Sequence, residues 1–268
     1  MNSFLARIGN LIDWIKISLA LGDDPVNSAW LFFLRFRFWF LKKTVGDKLF
    51  KLRLKKFGQP FEIFVRDNGD LAVLKEVFWL GEYDLNLVKE PNTILDLGSN
   101  IGLTAIYFKL KYPKAKIYAF EPDPTTFKQL LLNTQKMPEI SCYNLAISGQ
   151  SGSLTFYPYP GSSMSSSLIK RLPNQEGVTV DAVSLDDVLA LVEVDQVDLL
   201  KFDVEGAEDE IFSVCSKIGN ISRLIGEVHL DLMKKDWPSF QLIFRQNGFV
   251  LTEKKISLNR LLVNIKKL

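Results

Sequence analysis

The chain has 268 residues, 47% of them hydrophobic and 24% charged, so it can bury a core and is not disordered as a whole. A formal net charge of +2 argues against a dedicated nucleic-acid binder. The basic excess is local: residues 29–57 hold nine Lys or Arg (Arg35, Arg37, Lys42, Lys43, Lys48, Lys51, Arg53, Lys55, Lys56) against one acid, Asp47.

The two cysteines, Cys142 and Cys215, form no C-x-x-C and read as buried or inert thiols of a reducing compartment. The first apolar stretch is interrupted by Arg7, Asp13 and Lys16, unlike a signal peptide. No run of about 18 uncharged apolar residues occurs, so no spanning helix is expected. A cytoplasmic location follows, with attachment to the cytoplasmic membrane face left open.

Residues 4–19 place Phe4, Leu5, Ile8, Leu11, Ile12, Ile15 and Leu19 at helical spacing, with Arg7, Asn10, Asp13 and Lys16 on the other side. Gly22-Asp23-Asp24-Pro25 stops this amphipathic helix. Residues 30–41 are apolar almost all round, broken by Arg35 and Arg37. Residues 49–55 alternate apolar and basic, and with a Gly58-Gln59-Pro60 turn and residues 61–65 they predict a hairpin. Residues 71–80 read as a short helix. The spacing then predicts strand 93–97, helix 102–110, strand 116–121, helix 124–136 and strand 140–145. Strands 154–159 and 178–183 flank a Ser-rich loop, read as a substrate-side lid at Ser162–Ser167. Strand 197–203, helix 207–217, strand 222–229, helix 237–247 and two strands near 249–255 and 259–266 complete the chain. Such alternation means a doubly wound, mostly parallel sheet with helices on both faces. The short turn before the last strand demands an antiparallel hairpin. Two domains are expected, a helical and hairpin extension at 1–68 and the α/β domain at 69–268.

Two stretches carry the chemistry. Residues 93–102 read T-I-L-D-L-G-S-N-I-G, and residues 117–124 read I-Y-A-F-E-P-D-P. Each is an apolar run ending in an acid. Glu121 follows the first loop by roughly 20–25 residues, the spacing of the first two strands of a nucleotide-binding unit. The loop pattern D-x-G-x-x-x-G departs from the dinucleotide fingerprint, and Asp96 would repel a phosphate there. An acid in that place suits an ammonium group, and Glu121 suits a ribose diol. A ribose, an adenine, a free amine and no phosphate together describe S-adenosylmethionine.

Five motifs follow one another in one order: D-L-G-S-N-I-G, A-F-E-P-D-P, S-L-D-D-V, L-L-K-F-D-V-E-G-A-E and G-E-V-H. With them the chain resembles, over about residues 70–230, the FkbM-type S-adenosylmethionine-dependent methyltransferases. The resemblance implies a class I, Rossmann-like seven-stranded sheet with a closing antiparallel hairpin. It also implies an enzyme that methylates hydroxyls, often on sugars or polyketide-derived natural products. The first 60 or so residues carry no motif of that family.

The cofactor set is Asp96, Gly98, Ser99, Asn100, Gly102, Glu121, Pro122, Asp123, Asp203 and, by analogy with the family, Ala146 near the adenine. Gly98 is read as letting the backbone approach the ligand, and Asp123 as the cap of the helix opening at Pro124. His229, the sole histidine, ends a strand on the same sheet edge as Asp96 and Asp203. A near-neutral imidazole there suits the general base, with Asp203 or Glu205 as the alternative. Glu227 shares the His229 strand face, and Glu208 reads equally as a first-turn helix acid. Asp203, Glu205, Glu227 and His229 are also metal-ligand types, but their spacing does not demand an ion and no metal is assigned.

The acceptor is expected to be a small molecule, glycan or glycolipid. A glycosyltransferase-like protein is the first rival, opposed by Asp96 at the place of a phosphate. A non-catalytic membrane-associated scaffold is the second, opposed by the ordered acids at three strand ends. For residues 29–57 three readings stay open: a packing cap, a membrane-surface contact through residues 1–57, and a grip on an anionic substrate.

Overall fold

The computed structural model describes residues 2–41, 48–159 and 166–268, and the chain divides into two compact units, Met1–Asp84 and Leu85–Leu268. The first unit holds helices α1 (Asn2–Leu21) and α2 (Pro25–Leu41) and strands β1 (Phe50–Lys56) and β2 (Gln59–Val65). It closes with α3 (Asn68–Leu74) and a π-helical turn, Lys75–Leu80. Asp24 stops one helix and opens the next, its Oδ1 accepting from the Asn27 backbone N–H at 2.8 Å. In the hairpin, Leu52 pairs with Ile63 and Leu54 with Phe61, all buried, while Lys51 and Lys55 face out.

The helix expected over 71–80 begins earlier, where Asp67 caps the N–H groups of Gly69 and Asp70, and its second half widens into π geometry. That segment belongs to the first unit. Phe78 stacks on Phe61 with centroids 5.0 Å apart, and Lys56 Nζ donates to the Phe78 carbonyl at 2.6 Å. These ties hold the segment in the first compact unit, which runs to Asp84.

The faces of α1 also differ from a simple core-facing stripe. Trp14, Ile17, Ser18 and Leu21 are buried, whereas Leu11, Ile12, Ile15 and Leu19 are 43–66% exposed. On α2, Leu31 and Leu34 are buried, and Phe33, Phe36, Trp39 and Phe40 are exposed. The Phe4, Arg7 and Ile8 side chains, with Leu5, Lys42, Lys43 and Asp47, lie outside the described residues. No helix among the described residues is long and apolar enough to cross a membrane.

The second unit is a seven-stranded sheet with helices α4 (Leu103–Lys111), α5 (Pro124–Thr134), α6 (Leu185–Leu191), α7 (Glu208–Val214) and α8 (Trp237–Gln246). Its strands are β3 (Thr93–Leu97), β4 (Lys116–Phe120), β5 (Ile140–Tyr143), β9 (Leu199–Phe202), β10 (Arg223–His229), β11 (Phe249–Lys255) and β12 (Arg260–Lys267). They run in the order β11-β12-β10-β9-β3-β4-β5. β12 inserts between β11 and β10, antiparallel to both, and the other described pairs are parallel. The expected doubly wound fold with its closing hairpin is present, and the strand order reverses between β3 and β9.

The expected strand 140–145 ends at Tyr143, and Ala146–Ile147 forms a separate strand, β6, in a three-stranded sheet with β7 (Gly152–Phe156) and β8 (Val178–Val183). Helix α6 was not expected. Its signal was the S-x-x-D of the S-L-D-D-V motif: Ser184 Oγ accepts from the Asp187 N–H at 3.1 Å. Beneath the carboxyl ends of β9 and β10, Phe202, Phe240 and Phe244 pack around Phe212 with centroids 4.9–6.3 Å apart. This aromatic layer anchors α7 and α8 and so fixes the loops that carry the site.

Candidate active site

In an open α/β sheet the crevice for a ligand lies outside the carboxyl ends of the strands, at the switch in strand order. Here that place is between β3 and β9. Asp96 and Lys201 are register partners on these strands, both buried, with Nζ 3.1 Å from Oδ1. Lys201 also donates to the Gly98 carbonyl at 2.7 Å. Burial alone would lower its pKa, but the charges of Asp96 and Asp203 outweigh that and raise it. Asp96, fully buried, therefore meets an internal ammonium group, where the sequence reading had placed the ligand's amine. Lys201 was not in the expected set, although a lysine inside the apolar run L-L-K-F was the signal for a buried partner.

The loop after β3 is tied to its surroundings. The N–H groups of Gly98 and Ser99 donate to the Phe120 carbonyl, and Ser99 Oγ donates to that of Asp96. Gly98 has φ +74°, and a Cβ there would stand 2.0 Å from the Asp203 carbonyl oxygen. Its need for glycine thus comes from the neighbouring β9 loop, whatever a ligand adds. Gly102, at φ +88°, caps α4 where a Cβ would meet Leu130. Asn100 holds a left-handed φ of +50°, and its Oδ1 is buried with no hydrogen-bond partner among the described residues.

Glu121 directly follows β4, one residue beyond the strand end at Phe120, and bridges two loops. Its Oε2 accepts from the Asn100 N–H and its Oε1 from the Asp123 N–H, each at 2.9 Å. Burial pushes its pKa up to about 7, the Asp123 charge adding to the rise while the two N–H donors oppose it. Asp123 caps α5 through the N–H groups of Thr125 and Thr126. Asn144, absent from the expected set, clamps this turn by donating to the carbonyls of Glu121 and Pro122. Ala146 packs with Phe156, Val180 and Ala182 in the small sheet.

The loops after β9 and β10 bring the catalytic candidates together. His229 is 3% exposed; its Nδ1 lies 2.9 Å from Glu208 Oε1, and its Nε2 lies 3.2 Å from Glu205 Oε2 and 3.9 Å from Glu227 Oε2. Arg171 Nη2 reaches Glu205 Oε2 at 2.5 Å, and Arg260 Nε reaches Glu227 Oε2 at 2.9 Å. Glu205, like Asn100, is a non-glycine residue at positive φ, +54°, a strain that accumulates at functional sites.

Burial lowers the affinity of the His229 ring for its proton. The hydrogen bond and charge of Glu208, with the charges of Glu205 and Asp203, more than reverse this and raise the pKa to about 10. The surrounding carboxylates therefore favour a positive charge at the ring, whether a proton or a bound cation supplies it. The sequence reading took the ring as near-neutral; these carboxylates instead favour Asp203, the alternative base, in the proposal below. Arg171 and Arg260 were also missed, because both reach the site from segments without a motif. Of the expected lid, residues 160–165 lie outside the described residues; Ser166 Oγ accepts from the Tyr159 N–H, and Ser167 pairs with Tyr157.

Beside Glu205 and His229 opens a cleft of about 250 Å³, lined also by Arg171, Asp231, Leu232, Ser257, Asn259 and Arg260.

Residues 96–251 match the methyltransferase FkbM domain family. The chain belongs to the FkbM methyltransferase family. Methyltransferase 1 of Beauveria bassiana is 29% identical over 208 residues, covering 66% of this chain and 80% of that protein. The hexuronic acid methyltransferase AglP of Haloferax volcanii is 29% identical over 154 residues, 57% of this chain and 62% of that protein. The 2-O-methyltransferase NoeI of Sinorhizobium fredii is 26% identical over 218 residues, 71% of this chain and 86% of that protein. This FkbM family member is accordingly an S-adenosylmethionine-dependent methyltransferase.

The site fits that cofactor. Each Glu121 oxygen accepts one N–H and keeps a lone pair for a ribose hydroxyl. The orphaned Oδ1 of Asn100 lies in the same loop pair and calls for a donor.

Proposed function

We propose that this chain transfers the methyl group of S-adenosylmethionine to a hydroxyl of a sugar or glycan acceptor. One observation carries the reading: a cleft lined mainly by polar and charged side chains opens directly beside the β9 and β10 loops. Ser257, Asn259, Asp231 and the two arginines offer donors and acceptors at several angles, which a polyol can satisfy and an apolar acceptor cannot. The names of AglP and NoeI, one acting on a hexuronic acid and one at a 2-O position, support the same chemical class.

Bound S-adenosylmethionine supplies an electrophilic methyl group on a sulfonium. Glu121 would hold its ribose and Asn100 Oδ1 would accept from it. Asp203 directly follows β9 at the switch point, and its Oδ1 is buried without a hydrogen-bond partner among the described residues. It is the group proposed to take the acceptor's proton as the acceptor oxygen bonds to the methyl carbon and the carbon–sulfur bond breaks. Glu205 and the arginines would orient the acceptor, and His229 would hold Glu205. Calorimetry with S-adenosylmethionine tests the first half of this reading: Glu121→Ala should weaken binding by roughly 1–3 kcal/mol. Unchanged affinity in the folded variant removes the ribose assignment.

For the first unit we infer contact with an anionic membrane surface. The exposed stripe of Leu11, Ile12, Ile15 and Leu19, with Phe33, Phe36, Trp39 and Phe40 on α2, favours this over a packing cap alone. Nine basic residues in 29–57 supply the matching charge. Cosedimentation with phosphatidylserine vesicles tests it, and no binding at low salt leaves the unit as a cap.

A further inference from the structure

We propose that Asp203, Glu205 and His229 bind a divalent cation, of the Mg²⁺ or Mn²⁺ class, at the inner wall of the acceptor cleft. One ligand atom from each of the three residues lies within 4.8 Å of the others. Opposite ligands of such an ion stand roughly 4.2 Å apart and adjacent ones roughly 3 Å, the range in which His229 Nε2 and Glu205 Oε2 already lie at 3.2 Å.

The imidazole is the independent sign of a ligand. His229 is 3% exposed, and its Nε2, turned toward Glu205, makes no hydrogen bond among the described residues. Its other nitrogen is fixed: Nδ1 lies 2.9 Å from Glu208 Oε1, and Glu208, fully buried, is itself held by the Gly206 N–H at 3.1 Å. A carboxylate on one ring nitrogen, with the other ring nitrogen left for an ion, is the usual arrangement of a metal-binding histidine. Asp203 Oδ1 is a second buried polar atom with no hydrogen-bond partner among the described residues.

Charge agrees. A cation on Nε2 takes the place of a ring proton, so the ring counts as neutral; the carboxylates of Asp203, Glu205, Glu208 and Glu227 then face the guanidinium groups of Arg171 and Arg260, leaving two negative charges in excess. One divalent ion balances them. Arg171 already touches Glu205 Oε2, but a carboxylate oxygen has two lone pairs and can serve both cations. Oxygen ligands with one imidazole and no thiolate select a hard ion. Three protein ligands leave positions open for water or for two neighbouring acceptor hydroxyls, and Asp203 Oδ2 remains for the departing proton. The acceptor's place on the ion rests on the proposed O-methyl transfer; the cation site itself does not.

Manganese alone is the probe. Mn²⁺ added to the full chain, with the free ion followed by electron paramagnetic resonance, should give one bound ion per chain. Binding should weaken at least tenfold in Asp203→Asn and His229→Ala, and about tenfold in Glu208→Gln, which leaves the ligands in place. Because His229 is the sole histidine, a sub-stoichiometric dose of Mn²⁺ should broaden its ring signals selectively in wild-type protein, whatever the variants do. No binding at millimolar Mn²⁺, unchanged binding in Asp203→Asn and His229→Ala, or ring signals left sharp by bound Mn²⁺ each overturns the site. Calorimetry of S-adenosylmethionine on the same samples separates the two accounts. Cofactor binding without Mn²⁺ sinks the cation site alone, and Mn²⁺ binding without cofactor affinity sinks the methyltransferase reading alone.

Discussion

Asp96 and Lys201 face each other across the β3–β9 pair, 3.1 Å apart and shut off from solvent, directly beneath the loops that carry the site. Deleting one partner strands the other charge in the core, at a cost of about 3–5 kcal/mol. Lys201→Met should lower the urea stability of the protein by that order, and Asp96→Asn by less, since an amide keeps the shape. The double variant should recover part of the loss. Additive losses would mean that the two charges do not depend on each other.

Gly98 and the Asp203 carbonyl make the two loops one unit. A methyl group on residue 98 has nowhere to go, 2.0 Å from backbone oxygen and at φ +74°. Gly98→Ala should therefore displace the β9 loop and lower S-adenosylmethionine affinity by roughly tenfold or more, the effect of 1–3 kcal/mol of local strain. Wild-type affinity in this variant would show that the loops move independently.

Glu121 sets a pH dependence with two readable signs. Its pKa rises from 4.5 to about 7 in the folded chain because burial disfavours the carboxylate. A raised acid stabilises the fold below pH 4.5 and loses that contribution as pH climbs through about 7. Cofactor affinity should move the other way over the same interval, since the ionised carboxylate is the stronger acceptor of ribose hydroxyls. Glu121→Gln should flatten both trends, as read by thermal melts and by calorimetry from pH 5 to 8.5.

Most of this architecture was legible in the chain. D-L-G-S-N-I-G and A-F-E-P-D-P gave the first two strands and Glu121, and the apolar alternation gave the parallel sheet with its closing hairpin. What escaped were partners distant in sequence. Nothing near Lys201 points to Asp96, and nothing near Arg171 or Arg260 points to Glu205 or Glu227, because a contact across strands leaves no local period. The state of His229 was hidden for the same reason. Its protonation depends on Glu208 and Glu205, brought beside it by the β9 loop and not by strand β10 itself. On α1 the period was readable, but not which side of the helix would find a partner.

The proposed mechanism gives the acceptor's proton to Asp203. Asp203→Asn should lower turnover by roughly 10²–10⁴ while S-adenosylmethionine affinity stays within a few-fold. A folded variant that turns over within a few-fold of wild type would move proton acceptance to Glu205 or leave orientation as the main source of rate.

Contact with lipid should depend on both the apolar stripe and the charges. Binding to phosphatidylserine vesicles should fall between 0.1 M and 1 M salt, as the screening length shortens from about 10 to 3 Å. Removing two exposed aromatic side chains, Trp39→Ser with Phe40→Ser, should weaken binding at least tenfold, since each buries on the order of 1.5–3 kcal/mol of apolar surface. Vesicle binding that ignores both changes would assign the stripe to another partner.

The central claim is methyl transfer to a hydroxyl, and the position of a transferred label tests it most directly. Purified full-length chain is incubated with methyl-labelled S-adenosylmethionine and acceptor pools of uronic-acid oligosaccharides, neutral glycans and glycolipids, and the products are mapped by mass. The label should appear in an alkali-stable methyl ether on a sugar oxygen, and it should be lost in Asp203→Asn. Label found in an alkali-labile methyl ester or on nitrogen would contradict the account, as would cofactor binding with no transfer to any of these acceptors.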